Sequence, residues 1–558
     1  MNATAQRSGD LRNPAGRGAG YNPGSCSHRH GITSVYHSVE QHIARLDADG
    51  AAILLQGSAI GLEKESLRVS PDGHIAGTPH PRSLGSALTH PYITTDYSEA
   101  LLELITPPLA DGLRALDFLR DIHIFVYENL GDEILWATSM PCVLDGGDEI
   151  PIARYGSSNA GLMKTVYRRG LGHRYGRVMQ VIAGVHFNFS AATELWPALQ
   201  AAVGRSGPLR GFVDDRYLGQ TRNLQRYGWL IPYLFGASPA VCKSFLGGRP
   251  TTLQEFDRFT YYEPFATSLR MGDIGYTNSK EKGVGIKANY DSLDAYIASL
   301  TRAIETPSPL WERIGVEVDG RWEQLNSNIL QIENEYYSTV RPKQLLEGLE
   351  KPVLALRRRG VRYVELRSLD VNAFHPLGVG EEQIRFLELF MLFCLLQDSP
   401  PINIQEQREI DQNLGGVAHR GRDPALQLLR QGRELPLRQW ALELCSAMEG
   451  VVEVLDRNRR GQPYRQALEV QRQRVEDPDR TPSARMLQEM RERGEGFFHF
   501  ARRLSLEHAG HFRGLELDRQ RRRMFEREAE DSLHRQQQLE AEEQPPFDRF
   551  LADYFAQR

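Results

Sequence analysis

The sequence predicts an α+β protein in which one mainly antiparallel sheet carries the chemistry. Segments with the period-two alternation of strands fall at 61–69, 181–190, 325–335 and 362–369, far apart in the chain. Helical patterns and loops separate them, without the regular β-α-β spacing of a parallel sheet. The chain also changes character near residue 381, after which helical patterns dominate.

In chain order, residues 1–33 are rich in Gly, Arg, Ser and Asn and lack the apolar stretch of a secretory signal. They read as a disordered N-terminal extension, and Cys26, His28 and His30 within it have no second pair to complete a metal site. Residues 34–56 have helical spacing, with Val35, Val39, His42, Ile43 and Leu46 near one face. The strand at 61–69 is ended by Ser70, Pro71, Asp72 and Gly73. Residues 111–129 read as an amphipathic helix and 384–396 as a buried one. The stretch 515–543 is dense in Arg, Glu and Gln and reads as a charged surface helix. The expected organisation is therefore the extension 1–33, a catalytic sheet region 34–380, and a mainly helical part 381–558 packed on it.

Composition narrows the class. The 558 residues are 41% hydrophobic and 25% charged, as in ordinary soluble proteins, and the net charge of −5 argues against binding nucleic acid through an overall basic surface. No apolar run reaches membrane-spanning length; the longest, 387–396, is interrupted by Glu388. The cysteines Cys26, Cys142, Cys242, Cys394 and Cys445 form no CxxC pair, so reduced thiols in a cytoplasm are expected.

In a strand, residues i and i+2 point to one side. Glu63 and Glu65 then share a face with Lys64 opposite, and His186, Asn188 and Ser190 share one while Val185, Phe187 and Phe189 take the other. Glu333 pairs with Glu335, and Glu365 with Arg367, in the same way. Any half-exposed strand presents such a pair, so one alone says little; the set says more. The segment 93–107 adds Asp96, Glu99 and Glu103, the last flanked by Leu101, Leu102, Leu104 and Ile105.

Two carboxylates about 4 Å apart repel by roughly 4 kcal/mol at an effective dielectric of 20. Several that converge need protons, basic partners or cations, and oxygen-rich sites suit Mg²⁺ or Mn²⁺ rather than Zn²⁺. Magnesium completed by phosphate oxygens points to nucleotide chemistry. The familiar nucleotide motifs are absent: Gly156 and Gly161 have P-loop spacing, but Leu162 and Met163 intervene before Lys164 and Thr165. If a nucleotide binds, a sheet of acidic and basic residues holds it. Lys164, Arg168 and Arg169 around Tyr167, Arg270 before Tyr276, and Arg341 and Lys343 after Tyr337 supply cations able to clamp carboxylates or phosphates. These residues by themselves also fit a metal-dependent hydrolase or a non-catalytic metabolite-binding protein.

Longer motifs in fixed order narrow the choice. They are Gly61-Leu62-Glu63-Lys64-Glu65-Ser66-Leu67-Arg68-Val69, Leu84-Gly85-Ser86-Ala87-Leu88-Thr89-His90, Ile93-Thr94-Thr95-Asp96-Tyr97 and Ala100-Leu101-Leu102-Glu103-Leu104-Ile105-Thr106-Pro107. Gly184-Val185-His186-Phe187-Asn188-Phe189-Ser190, Pro232-Tyr233-Leu234-Phe235-Gly236-Ala237-Ser238-Pro239, Gln331-Ile332-Glu333-Asn334-Glu335 and Glu365-Leu366-Arg367-Ser368-Leu369-Asp370 follow. With them the chain, from residue 57 onward, resembles the proteobacterial-type glutamate–cysteine ligases, also called γ-glutamylcysteine synthetases.

The resemblance implies a curved, mainly antiparallel sheet of glutamine-synthetase-like type wrapped by helices. It implies ATP-dependent joining of the glutamate γ-carboxylate to the cysteine amine through γ-glutamyl phosphate, the first step of glutathione biosynthesis. Another carboxylate–amine ligase of the same fold, with a different amine, stays open as the alternative. By the same resemblance Glu63, Glu65, Glu103, His186 and Glu365 are expected to hold Mg²⁺, with Mn²⁺ as the alternative ion. Arg367 and Asp96 take catalytic roles; Tyr167, Gln180, Arg270, Tyr276, Tyr337 and Asn188 bind substrate, and Arg341 and Lys343 contact the phosphates of ATP. The expected partners are glutamate, cysteine and ATP, with feedback by glutathione, in a cytoplasmic monomer that binds neither nucleic acid nor membrane.

Overall fold

The computed structural model describes residues 36–558 apart from 142, 145 and 276–285. The extension at 1–33 and Tyr276 lie outside the described residues. Among the described residues, no helix is long and apolar enough to cross a membrane.

A seven-stranded sheet is the frame of the site. Its strands are β1 (Ala59–Val69), β2 (Ile93–Thr95), β3 (Leu101–Ile105), β4 (Ile134–Leu135), β5 (Val185–Ser190), β6 (Val340–Lys343) and β7 (Tyr363–Leu369). They lie in the order β6-β7-β5-β1-β3-β2, with β4 paired to the end of β1, and every pairing is antiparallel. The expected α+β class with an antiparallel sheet is what the chain forms, and the sheet stays open rather than closing into a barrel.

Alternation explains why β1 lies at the centre. Leu62, Lys64, Ser66 and Arg68 are all nearly inaccessible on one side. That side packs on helix α1 (Gly112–Asn129), whose first turn is capped by the Asp111 carboxylate accepting from Leu113 N. Ala115, Leu119, Ile122 and Val126, spaced for one helical face, are fully buried. Helix α2 (Glu381–Leu396) is apolar almost all round and runs through the core, as an all-round apolar helix must. The main core includes residues from Tyr36 to Phe525, so the helices after 381 share it with the sheet.

Three expectations change. Residues 325–335 form no strand; they are irregular and end in a 3-10 turn, Glu333–Glu335. Side-chain amides satisfy the backbone there in place of a ladder: Leu325 N donates to Gln331 Oε1, Asn326 Nδ2 to Gln331 O, and Asn328 N to Asn326 Oδ1. The strand expected at 181–190 starts only at Val185, because Met179–Val181 is a 3-10 turn. The charged C-terminal stretch does form a helix, α3 (Arg519–Ala541), but one face is docked. Phe525 is buried against Phe118, Arg521 and Arg522 pair with Asp121 and Glu128 of α1, and Ser532 Oγ accepts from Ser86 N. Cys394 and Cys445 are free and buried, whereas Cys242 is disulfide-bonded, so the expectation of reduced thiols throughout fails at that residue.

Candidate active site

The register of the sheet brings the predicted residues together. Glu63 of β1 stands opposite His186 of β5, Glu65 opposite Glu103 of β3, and Glu365 of β7 opposite Asn188 of β5. Directly opposed residues share a face, so these side chains meet on the side of the sheet away from α1. Arg341 on β6 faces Glu365, and Lys343 follows two residues on.

The contacts are close. His186 Nδ1 lies 2.9 Å from Glu63 Oε2 and 3.6 Å from Glu365 Oε1, and its Nε2 lies 3.8 Å from Glu65 Oε1. Asn188 Nδ2 donates to Glu63 Oε1 at 2.8 Å. Arg367 Nη1 donates to Glu365 Oε1 at 2.8 Å, and Lys343 Nζ lies 3.6 Å from Glu365 Oε2. Gly184 N donates to Glu65 Oε2 at 2.6 Å, fixing one end of that carboxylate.

The charge balance differs from one side of this cluster to the other. Burial works to raise Glu365, but Arg367, Lys343, His186 and Arg341 outweigh it and hold the carboxyl well below its usual range. Burial likewise opposes ionisation of Glu63, yet the His186 hydrogen bond keeps it low. Glu65 is pushed up by burial, and Glu103 is pushed well above its usual value by burial and then by Glu63, Asp96 and Glu65. The β7 side is thus neutralised by protein cations, while the β1–β3 side holds more carboxylate than basic groups offset. A bound cation removes that imbalance. Glu63, Glu103 and His186 offer ligand atoms all within 4.8 Å of one another. A donor set of carboxylate oxygens with a single imidazole fits Mg²⁺ or Mn²⁺ better than Zn²⁺.

The remaining predicted residues line the surroundings. Asp96 follows β2 and bears electrostatically on both Glu65 and Glu103; its backbone carbonyl accepts from Tyr155 Oη and Arg168 Nε. Arg270 is buried, donating from Nη2 to Arg367 O at 3.0 Å, with Asp370 Oδ1 3.8 Å from Nη1. A Cβ on Gly184 would stand 2.1 Å from that Nη2, so the guanidinium needs the glycine beneath it. Tyr337 Oη donates to Gln180 Oε1 at 3.0 Å, and the Tyr167 carbonyl accepts from Gln331 Nε2. Arg341 is anchored through Nη2 on the carbonyls of Asn334 and Tyr336.

Some acidic residues singled out with these lie elsewhere. Glu99 caps backbone amides of His80 and Arg154. Glu333 approaches Val353 N, and Glu335 is paired with Arg174. Lys64, opposite the carboxylates as alternation requires, is buried with Nζ 2.9 Å from His123 Nε2, and burial pulls its pKa down to about 7. Sequence reasoning missed Gly184 as a contact of Arg270 and missed Arg174 altogether; an isolated arginine in a helical pattern carries no signal of burial.

Comparison with known proteins agrees with this geometry. A sequence model of the family described as glutamate-cysteine ligase matches residues 43–417. The glutamate–cysteine ligase of Alcanivorax borkumensis is 48% identical over 523 residues, covering 93% of this chain and 99% of the relative. That of Azotobacter vinelandii is 49% identical over 519 residues, covering 92% and 98%. Among solved structures, a glutamate–cysteine ligase from Francisella tularensis in complex with AMP superposes with a TM-score of 0.84 at 36% identity, covering 89% of this chain and 97% of that one. A bifunctional glutathione synthetase from Pasteurella multocida gives 0.67 at 26% identity, with 85% and 55% covered. Fold, ordered motifs and relatives matched over nearly their whole length agree: the chain belongs to the glutamate–cysteine ligase family.

Proposed function

We propose that this chain joins the γ-carboxylate of L-glutamate to the amine of L-cysteine at the expense of ATP, the first step of glutathione biosynthesis. The observation that carries the reading is the split site itself: Glu63, Glu65, Glu103 and His186 gather excess carboxylate on β1, β3 and β5, while Arg367 and Lys343 gather cations at Glu365. The AMP-bound relative supports a nucleotide site in this fold.

Glu63, Glu65, Glu103, His186 and Glu365 would hold Mg²⁺, which when bound supplies charge neutralisation to the phosphates. Arg341 and Lys343 extend the same sheet face toward the nucleotide phosphates. The glutamate γ-carboxylate attacks the γ-phosphorus of ATP, forming γ-glutamyl phosphate and releasing ADP; Arg367 steadies the charge on the transferring group. The cysteine amine then attacks the acyl carbon and inorganic phosphate leaves with the bonding pair. Asp96 accepts the amine proton. Asn188 binds substrate beside Glu63, and Tyr167, Gln180, Arg270, Tyr276 and Tyr337 form the amine pocket, which must exclude water because acyl phosphates hydrolyse. The sheet region 34–380 carries these groups and the helices of 381–558 support it. The enzyme works as a cytoplasmic monomer under feedback by glutathione.

ADP release is the test. It should require glutamate, cysteine and Mg²⁺ together. Equal release with any one omitted would overturn the proposal. Faster turnover of alanine or 2-aminobutyrate than of cysteine would assign a different amine.

A further inference from the structure

We infer that Tyr175 and Glu335 are positioning residues for the amine substrate, holding the wall of its pocket through Tyr337. This rests on the pocket assignment proposed above, and it gives a task to two groups outside the carboxylate cluster.

The helix Asn159–Tyr175 carries Tyr167 on its length and Tyr175 at its end, and Gln180 follows in the next turn. Across from it runs the irregular segment 324–337, tied on its other side to 303–308 by an isolated bridge, Asn328 to Pro307, and the backbone bonds beside it. Glu335, fully buried, ties it to the helix. Its Oε1 takes Arg174 Nη1 at 2.8 Å and Tyr175 Oη at 2.9 Å, and its Oε2 takes the backbone amide of Gln331 at 2.8 Å. Arg174 is equally buried and also reaches Gln324 Oε1 and the carbonyl of Asn326. Gln331 returns the connection by donating to Tyr167 O, over a position where a Cβ on Gly170 would stand 2.3 Å from its Oε1.

Two residues after Glu335, Tyr337 turns its hydroxyl to Gln180. The Tyr175 ring meets the Tyr337 ring edge-on, with centroids 5.5 Å apart and planes at 88°. One phenol therefore does two things. Its hydroxyl ties Glu335 and its ring fixes the angle of Tyr337. A buried Arg–Glu pair is weak evidence of added stability, since burial of both charges offsets their attraction. Here it fixes register: an irregular segment is held at one position against one helix, and that position sets the Tyr337–Gln180 distance.

The experiment is steady-state kinetics of the full chain with each substrate varied in turn. Tyr175→Phe keeps the ring and removes only the hydroxyl. It should raise KM for cysteine about tenfold, with KM for glutamate and ATP and the melting temperature nearly unchanged. Glu335→Gln should act in the same direction; should it fail to fold, the tyrosine variant decides. Combined with Tyr337→Phe, Tyr175→Phe should add little, because both act through one group. An equal rise in all three KM values, an effect on kcat alone, no change, or full additivity would overturn the inference. If Tyr337→Phe and Gln180→Glu themselves leave the cysteine KM untouched, the pocket assignment has failed instead.

Discussion

Glu63 and His186 stand opposite each other across β1 and β5, with Oε2 of the one 2.9 Å from Nδ1 of the other. Glu63 can only accept in this contact, so Nδ1 carries the proton, and Nε2 is left on the Glu65 side. A ligand histidine held by a carboxylate in this way has its tautomer and ring orientation set before metal arrives. His186→Ala should therefore weaken Mg²⁺ use by about 10–100-fold. The dependence of initial rate on Mg²⁺ concentration checks this; an unchanged half-saturating concentration would remove His186 from the metal site.

Glu103 is the carboxyl most opposed by its surroundings, through burial and then through Glu63, Asp96 and Glu65. Replacing it with glutamine removes the repulsion while keeping the shape. Without metal, Glu103→Gln should be no less stable than the parent and up to about 1 kcal/mol more stable. The parent's rise in melting temperature on adding Mg²⁺ should shrink or vanish in the variant, as linkage requires when ligand affinity is lost. Thermal melts with and without Mg²⁺ read both effects. An equal Mg²⁺ shift in both proteins would show that Glu103 holds no metal.

The sheet and the centre of the site were legible because alternation is a local signal. Glu63 and Glu65 against Lys64, and His186 and Asn188 against Phe187, fix which side each takes, and the register then only has to bring the strands together. What alternation cannot show is what replaces a ladder. Glu333 and Glu335 have the spacing of a strand face, but the amides of Asn326 and Gln331 bond the backbone first and bend the chain into a turn. The C-terminal charges were legible as a helix, yet the docking of Phe525 and Ser532 depends on partners more than 400 residues away in sequence. Alternation places Lys64 opposite the two glutamates and no more; the packing of α1 shows it buried on His123.

Arg270 and Gly184 give a steric test. A methyl on Gly184 would stand 2.1 Å from Arg270 Nη2, and the guanidinium is boxed in by Asp370 and the Arg367 carbonyl. Overpacking of this kind typically costs about 1–3 kcal/mol. Gly184→Ala should lower stability by that order and, by shifting Arg270, lower kcat/KM for cysteine more than for ATP. Denaturant unfolding together with kinetics on each substrate checks it. A variant with lowered stability and untouched cysteine kinetics would leave Arg270 a structural residue.

Glu388 gives a pH test remote from the metal site. It lies in the apolar helix α2, and burial pushes its carboxyl up to about 7 from 4.5, although Tyr464 Oη donates to it at 2.6 Å. The folded state thus holds this proton more tightly than the unfolded chain does. The stability so gained is fully present below the unfolded value near 4.5 and is lost as pH rises through the folded value near 7. Across that window the loss is on the order of 3 kcal/mol. Glu388→Gln cannot ionise and still offers Tyr464 an acceptor, so it should lack this part of the decline. Relative to the parent, the variant should gain stability between about pH 5 and pH 7 and level off above it, measured by urea unfolding at each pH so that other titrating groups cancel in the difference. A difference that stays constant with pH would mean that Glu388 ionises in the folded protein as readily as in the unfolded chain.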